Sequence, residues 1–241
     1  MNFQTLFKKH DAVIIFDTET SGLDPDKHQI IELAAIRVEP TENGIRIADS
    51  MDDFIRLPDG ETLDAKIVEL THITDEMLQS EGKSREEVAA RFHQLLTGDK
   101  PGGSIVMAAH NAQFDLLFTR QLLRGHRITG SLSFLDTVTI YKDRRPYPHK
   151  LEAAIKAYKL EDKVKNSHRA IDDVCALLEV MKAMDEERED LHTYLNIFGY
   201  NPKYGVSGEK LAGVTYRAQD FTKFKRPEYL TLPALVKGAK A

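Results

Sequence analysis

The chain has 241 residues, of which 41% are hydrophobic and 29% charged, and its formal net charge is −5 at pH 7. This composition is typical of a globular protein, and no apolar run approaches the ~20 residues that a membrane-spanning helix needs. A single cysteine, Cys175, excludes an internal disulfide framework and a cysteine zinc cluster. Because Cys175 lies in an apolar helical run, we expect a buried core thiol. The N-terminus resembles no secretory signal, so we expect a cytoplasmic protein.

Three predicted strands occupy the first quarter of the chain. An apolar strand spans residues 12–17, and two more span 30–39 and 50–57. The link between the second and third contains Asn43 and Gly44, a dipeptide typical of tight hairpins. We therefore predict that the second and third strands are antiparallel neighbours.

Helices and strands alternate in the next part of the chain. A short helix is predicted at 64–70, and a longer one begins at Ser84, where Ser84 and Glu87 have the spacing of a capping box, and ends at Gly98. The remaining predicted elements are a strand at 104–110, a helix with Asn111 as its N-cap, a strand at 132–138, and helices at about 150–158 and 170–184. Three strands followed by alternating elements predict an α/β architecture with a mixed sheet.

The charge is unevenly distributed along the chain. Residues 199–241 contain 8 Lys and Arg against 3 Asp and Glu, whereas the first 198 residues contain 25 against 35. An acidic body with a basic tail points weakly to a polyanionic partner, although a simply solvated tail explains it equally well. We place a boundary near 188–200, which divides the chain into a domain at 1–188 and an extension of unknown role at 189–241.

Two carboxylates follow the first apolar strand. Asp17 and Glu19 are two residues apart, so on a strand their side chains point to the same face. Two like charges at the edge of a core are unfavourable unless a positive group lies between them. This pair is either solvated at the strand end or part of a cation site.

Two further places repeat this pattern. Asn111 and Asp115 follow the fourth strand, while His168 precedes the last helix and Asp172 and Asp173 lie inside it. Each has an ordinary explanation on its own, such as an acid that favours the helix dipole or a surface histidine. If they converge, their carboxylates require hard divalent cations such as Mg²⁺ or Mn²⁺, which prefer oxygen ligands.

Three segments, "FDTETSG", "HNAQFD" and "HRAIDD", resemble the three motifs of the DEDDh 3'-to-5' exonucleases. That family includes the proofreading epsilon subunit of bacterial DNA polymerase III, the PolC exonuclease domain and RNase T. The resemblance covers about residues 11–184 in the family's order and spacing, which is far more specific than a single motif. It implies a ribonuclease-H-like fold, namely a mixed five-stranded sheet flanked by helices, followed here by a basic C-terminal extension.

The resemblance also implies roles for individual residues. Asp17, Glu19, Asp115 and Asp173 would hold two divalent ions, Mg²⁺ or Mn²⁺, and His168 would be the general base. Asp172 competes with Asp173 for the last acid position, and only the family spacing favours Asp173. The implied reaction releases nucleoside 5'-monophosphates from a 3' end.

Substrate contacts follow from motif position in the same way. The residues implied to contact the terminal nucleotide are Thr18, Thr20, Leu70, Thr71, Asn111 and Phe114. Plain core packing is the alternative for Leu70 and Phe114. One departure from the family lies nearby, where relatives often have Gly before Ile-Thr and this chain has His72, which would alter the pocket wall.

A basic segment at 141–150 is a second candidate for nucleic-acid contact. It combines basic side chains with two tyrosines: Lys142, Arg144, Arg145, His149, Lys150, Tyr141 and Tyr147. Such a mixture is typical of a path for a phosphate backbone, and an exposed, solvated loop is the alternative.

We therefore expect a metal-dependent 3'-to-5' exonuclease that acts on single-stranded 3' ends, DNA in preference to RNA, with a replicative polymerase as a candidate partner and no membrane. The alternatives are an RNA-directed exonuclease similar to RNase T, a silent nucleic-acid- or polymerase-binding module, and a hydrolase of small nucleotides. The complete acid set argues against the silent module. The treatment of the 2'-OH decides between DNA and RNA, and no residue identifies it.

Overall fold

The computed structural model describes residues 2–100, 102–164 and 169–219. The strands are β1 (Ala12–Thr20), β2 (Ile30–Thr41), β3 (Gly44–Phe54), β4 (Ser104–Ala109), β5 (Ser131–Asp136), β6 (Ile197–Tyr200) and β7 (Thr215–Ala218). The α-helices are α1 (Gln4–Phe7), α2 (Ala65–Thr71), α3 (Asp75–Glu81), α4 (Arg85–Thr97), α5 (Ala112–Leu122), α6 (Thr137–Arg144), α7 (Leu151–Ala157) and α8 (Ala170–Glu187). A short 3₁₀ helix covers Leu191–Tyr194.

Five strands form one mixed sheet in the order β3-β2-β1-β4-β5. The strands β1, β2 and β3 pair antiparallel, whereas β4 is parallel to both β1 and β5. The predicted mixed five-stranded sheet and the antiparallel pairing of the second and third strands are confirmed. The first strand, β1, lies at the centre, so any side chain at its end is surrounded by several other elements.

Side chains alternate between two apolar layers along β1. Val13 and Ile15 pack in the layer that contains α8, and Ile14 and Phe16 pack in the layer that contains α4 and α5. The strand continues to Thr20, three residues beyond the predicted end, because Asp17 and Glu19 remain paired with β2. Both carboxylates thus belong to the sheet.

The helix at Arg85–Thr97 matches the prediction at both ends. Ser84 and Glu87 form the complete capping box, and Gly98 follows the last turn with a left-handed φ of 54°. Glycine adopts this conformation without the steric penalty of a Cβ atom.

The residue predicted as the N-cap of α5 acts differently. Asn111 has a φ of 76°, and among the described residues its side chain makes no capping hydrogen bond. Instead, Oδ1 of Asp136 accepts hydrogen bonds from the backbone N–H groups of Asn111 (3.0 Å) and Ala112 (3.2 Å). The capping acid therefore comes from the end of the neighbouring strand β5.

The prediction of a buried core thiol at Cys175 is wrong, because the cysteine is exposed on α8. Its helix is apolar over most of its circumference, so periodicity did not identify the face that points outward. Partial burial, with the charge of Asp172 nearby, raises the pKa of the thiol. A raised thiol pKa disfavours the nucleophilic thiolate.

The part of the extension that the structure describes packs on the body. Asn196 receives a hydrogen bond from the N–H of Phe134 at 2.7 Å and returns one to the carbonyl of Phe134 at 2.8 Å. The strands β6 and β7 pair in parallel, and Phe198 and Leu211 are buried in the core. The domain boundary stays a prediction, and residues 220–241 lie outside the described residues. Across the described ranges, no helix combines the length and apolar character required to span a membrane.

Candidate active site

The acids predicted on β1 lie on the sheet face that α8 covers. Thr18 lies between Asp17 and Glu19 on the strand, and its side chain points to the opposite face of the sheet. Asp17 and Glu19 each lie within electrostatic range of Asp173 on α8. Desolvation, followed by the charges of the neighbouring acids, raises the pKa of Asp17 well above its usual range. The same causes raise the pKa of Glu19 to about 8, with Glu32 as its strongest acidic neighbour. The strand end is therefore a place of mutual repulsion.

Asp115 approaches this group from the first turn of α5. It is buried, and burial raises its pKa to about 7. Two hydrogen bonds from Thr18 act to lower the pKa of Asp115. Oδ1 of Asp115 accepts from the backbone N–H of Thr18 at 3.1 Å and from its Oγ1 at 2.7 Å. Thr18 thus fixes the carboxylate of Asp115 against β1.

Asp172 and Asp173, which are adjacent at the start of α8, are the two candidates for the fourth acid of the site. Burial, with the charges of Asp172 and Glu32, raises the pKa of Asp173 to about 7. Asp173 also acts electrostatically on both Asp17 and Glu19, and it lines the same cleft as Asp17. These relationships favour Asp173 over Asp172, as the family spacing does.

Sequence reasoning missed a fifth buried acid, Glu32, which is fully buried on β2 directly opposite Glu19. Its carboxylate binds Nε and Nη2 of Arg169 at 2.9 and 2.8 Å and accepts the backbone N–H of Ala170 at 3.1 Å. The Arg169 guanidinium also lies 4.9 Å from the centre of the Phe54 ring. These contacts fix the first turn of α8, which carries Asp173. The available signal was a glutamate within the apolar run "IIELAAI".

The acid cluster fits a divalent cation by the chemistry of its donors. Every candidate ligand supplies carboxylate oxygen, and because burial raises the pKa of each acid, a cation bound among them would stabilise their ionised forms. Within the ranges that the structure describes, no three His, Cys, Asp or Glu side chains are already arranged to hold one metal ion. The electrostatics favour a cation, although the coordination geometry is not preassembled.

The predicted general base, His168, lies outside the described residues, so its position is not part of this geometry. Two other histidines, His110 and His149, line the cleft beside Asp17. Nε2 of His110 donates to the carbonyl of His149 at 2.9 Å, and Nε2 of His149 donates to the carbonyl of Arg145 at 3.0 Å. Burial lowers the pKa of both imidazoles. Both rings therefore serve as structural donors.

The predicted nucleotide contacts differ in accessibility. Asn111 and Phe114 line a groove of about 250 Å³, and Asn111 also lines the cleft at Asp17. Leu70 is exposed, which excludes the core-packing alternative for this residue. Thr20 and Thr71 are buried, and their hydroxyls donate to the carbonyls of Gly22 (2.7 Å) and Ile67 (2.9 Å), respectively.

His72 ends α2 with a left-handed φ of 59°, and its backbone N–H donates to the carbonyl of Val68 at 2.9 Å. Glycine is the usual residue in this conformation, which explains the glycine of the family pattern, and nothing in the structure explains the histidine of this chain. The side chain is exposed.

Three of the seven residues singled out in the basic segment 141–150 are structural, which corrects the hypothesis of one continuous nucleic-acid path. Arg144 is 1% exposed, donates to the carbonyl of Met184 at 2.6 Å and pairs with Glu187 and Asp190. Arg145 pairs with Glu187 at 2.8 Å, and Tyr141 is buried. The residues that remain at the cleft are Lys142, Tyr147, His149 and Lys150.

A mixed sheet with acids from three elements at the end of its central strand is consistent with a nuclease-type fold. Residues 14–181 match the RNase T exonuclease family model. The chain therefore belongs to this family, and the prediction of a 3'-to-5' exonuclease of the DEDDh type is confirmed at that level. Enzymes of this family use divalent metal ions.

Similar proteins include PolC-type DNA polymerases III. The chain is 32% identical to that of Bacillus subtilis over 200 residues and 31% identical to that of Staphylococcus aureus over 235 residues. These matches cover 78% and 95% of this chain, which spans only 13% and 14% of the respective polymerases.

Among solved structures, the fold is similar to that of E. coli exonuclease I. A zinc-bound complex of that enzyme with single-stranded DNA has a TM-score of 0.62 at 20% identity, covering 77% of this chain and 43% of the other. A complex with a dT13 oligonucleotide has a TM-score of 0.63 at 22% identity, covering 76% and 43%. At this level of identity, the likeness establishes the fold.

Proposed function

We propose that this chain removes nucleoside 5'-monophosphates from the 3' ends of single-stranded DNA in a reaction that depends on divalent metal ions. Asp17, Glu19, Asp115 and Asp173 hold two such ions, Mg²⁺ or Mn²⁺. The observation that carries this proposal is the convergence of four acids from β1, α5 and α8 whose burial and mutual charge raise their pKa values. A site of this kind is unfavourable without cations and becomes favourable with them.

Each acid has a distinct means of support. Asp17 and Glu19 are fixed by strand pairing, Thr18 orients Asp115, and the pairing of Glu32 with the start of α8 places Asp173. Divalent ions bound by these carboxylates would supply a water nucleophile at neutral pH and stabilise the leaving 3' oxygen.

We assign the general base to His168, on the family spacing. The engagement of His110 and His149 with backbone carbonyls supports this assignment, because each uses Nε2 to donate. An imidazole with an unperturbed pKa near ~6.5 accepts a proton efficiently near neutral pH. His168→Ala should therefore lower kcat far more than it changes KM, and equal losses in both would contradict the role of base.

The preference for DNA rests on the similar proteins, which are PolC-type DNA polymerases and an exonuclease I solved with single-stranded DNA. The same relatives make a replicative polymerase in the cytoplasm a reasonable partner. An RNA-directed exonuclease is the competing outcome, because the 2'-OH alone distinguishes the two substrates at the site.

The test is the digestion of matched single-stranded DNA and RNA oligonucleotides labelled at the 5' end, with Mg²⁺, with Mn²⁺ and with chelator. We expect a ladder that shortens from the 3' end, requires metal and forms faster on DNA. A faster ladder on RNA would change the substrate class. Retained binding without any ladder would support the silent binding module.

Adjacent aspartates on α8 provide a matched pair for the same assay. Asp173→Asn should abolish the ladder, because it removes a proposed metal ligand. Asp172→Asn removes the same charge one residue away and should retain most of the activity. The reverse result would assign the fourth acid to Asp172.

A further inference from the structure

An open cleft extends from the acid cluster towards the C-terminal extension. It has a volume of about 640 Å³, and Asp17 and Asp173 line one part of it. Among its other walls are two segments that are distant in sequence, the loop at 145–150 and the turn at 201–205. The second segment lies outside residues 14–181, which match the exonuclease family. The extension therefore contributes to the same cleft as the acids.

Each of these two segments contributes an exposed tyrosine to the cleft. Tyr147 is 73% exposed and Tyr204 is 75% exposed, and both line the cavity. A single exposed aromatic side chain is ordinary on a protein surface. Two exposed tyrosines from separate segments that line one cavity are more informative, because that cavity leads to the acids. Exposed aromatic rings are the usual stacking surfaces for unpaired bases.

The turn that carries Tyr204 is well fixed. The backbone N–H groups of Tyr204 and Gly205 donate to the carbonyl of Asn201 at 3.0 and 2.9 Å, and Gly205 supplies the left-handed φ of 75° that closes the turn. The preceding strand β6 is tied to α6, because the N–H of Gly199 donates to Oγ1 of Thr139 at 2.7 Å. Such anchoring reduces the entropy lost when a ligand binds.

Cationic side chains accompany the two rings. Lys142 and Lys150 line the cleft, and Nζ of Lys203 lies 5.1 Å from the centre of the Tyr204 ring. Glu152 is an acidic member of the same lining. Positive charge beside stacking surfaces matches the alternation of phosphates and bases in a single strand.

We propose that Tyr147 and Tyr204 stack on the nucleotides upstream of the terminal one, while Lys142, Lys150 and Lys203 face the adjoining phosphates. The extension thereby completes the path of a single-stranded substrate. This inference rests on the proposed nuclease function and adds to it a binding region for the strand that enters the site.

The experiment compares two substrates in the full-length protein. Thymidine 5'-monophosphate p-nitrophenyl ester carries only the terminal nucleotide, whereas 5'-labelled oligothymidylates of two to ten nucleotides also carry the upstream strand. We expect Tyr204→Ala and Tyr147→Ala each to raise KM for the longer oligonucleotides about tenfold more than KM for the ester. Tyr204→Phe and Tyr147→Phe keep a stacking ring and should restore most of the difference.

Binding gives a readout that is independent of turnover. Fluorescence anisotropy with labelled dT10, in an Asp17→Asn background, should show about tenfold weaker binding for each alanine variant. Ile47→Ala, which removes an exposed apolar side chain from the edge strand β3, is the control and should leave both ratios unchanged. Melting curves identify any variant that fails to fold.

The outcomes separate this inference from the function on which it rests. A wild-type protein that cleaves neither substrate with Mg²⁺ or Mn²⁺ contradicts the nuclease function. If the wild type cleaves both, alanine variants that leave the selectivity and the binding of dT10 unchanged overturn the inference alone. A loss of selectivity that phenylalanine does not restore also overturns it, because it would indicate a role other than stacking.

Discussion

Two clusters of charged side chains lie at the first and the last turn of α8, and they differ in the sign of their interactions. The acid cluster brings together Asp17, Glu19, Asp115 and Asp173, whose pKa values rise. The arginine cluster brings Arg144 and Arg145 against Glu187 and Asp190, so that each charge meets its opposite. The acids of the first cluster repel one another, whereas the charges of the second cluster attract one another. The acid cluster is therefore the one suited to binding a cation.

The largest expected effect follows from neutralising the centre of the acid cluster. Asp17→Asn should lower metal-dependent turnover by about 10³-fold or more, equivalent to about 4 kcal/mol of activation free energy. The same change should stabilise the metal-free protein at pH 8, because it removes an acid whose charged form is disfavoured by burial and by neighbouring acids. Activity is measured on oligonucleotides and stability by thermal melting in chelator. A destabilised variant would mean that Asp17 has a structural partner.

Breaking the arginine cluster should have the opposite effect on stability. Arg144→Met removes the fully buried partner of Glu187 and Asp190, leaving them only Arg145 and the more exposed Arg188, and should lower the free energy of unfolding by about 3 kcal/mol. Arg46→Met, at an exposed pair with Glu39, is the control and should change it by less than about 1 kcal/mol. Urea unfolding measures both variants. A loss at Arg144 as small as that at Arg46 would show that the two acids become solvated.

The two clusters should also differ in their dependence on pH. The folded-state pKa values of Glu19 (about 8), Asp115 (about 7) and Asp173 (about 7) lie above their unfolded values. The stability from their protonated forms is fully present below the unfolded pKa values and is lost as pH rises through 7 to 8. Metal-free protein should therefore lose stability from pH 6.5 to about 8, by up to about 1.4 kcal/mol per pH unit for each acid still protonated in the folded state, and the slope should flatten above pH 8.

That window avoids the opposing titration of His10, His110 and His149, whose lowered pKa values affect stability only below about 6.5. Saturating Mg²⁺ should remove the slope, because bound cations keep the acids ionised. Glu19→Gln should reduce it. Melting temperatures across the range, with and without chelator, measure both effects, and a slope that persists unchanged in saturating metal would contradict the cation site.

Much of the fold was readable from local patterns. The Asn43–Gly44 link predicts the β2–β3 hairpin, and the capping box at Ser84 predicts the start of α4, because these signals act over a few residues. The strands β6 and β7 and the helices α1, α3 and α6 were missed. The strands and α6 depend on contacts with distant segments, such as that between Gly199 and Thr139, which no local pattern encodes.

The candidate site was readable only through the combination of three motifs. Spacing alone placed Asp17 and Glu19 on one face, as the structure has them, but it did not separate Asp172 from Asp173. It also missed Glu32, since a glutamate in an apolar strand shows its role only when its partners, Arg169 and Ala170, are known from the fold.

The smallest expected effect concerns the support of a single acid. The hydroxyl of Thr18 donates to Oδ1 of Asp115, and Thr18→Val removes this bond but retains the backbone N–H and the side-chain shape. We expect about a tenfold rise in the metal concentration for half-maximal activity, equivalent to about 1.4 kcal/mol, with a much smaller change in substrate KM. Thr119→Val is the matched control, because its hydroxyl donates to the backbone carbonyls of Asp115 and Leu116 and not to a carboxylate.

Titration of activity with Mg²⁺ at saturating oligonucleotide, and with oligonucleotide at saturating Mg²⁺, separates the two constants for Thr18→Val. A rise confined to substrate KM would assign Thr18 to the nucleotide, as motif position implies. A rise confined to the metal requirement would assign it to Asp115, because a carboxylate that loses a hydrogen bond to its charged form holds its proton more strongly and competes less well for a cation.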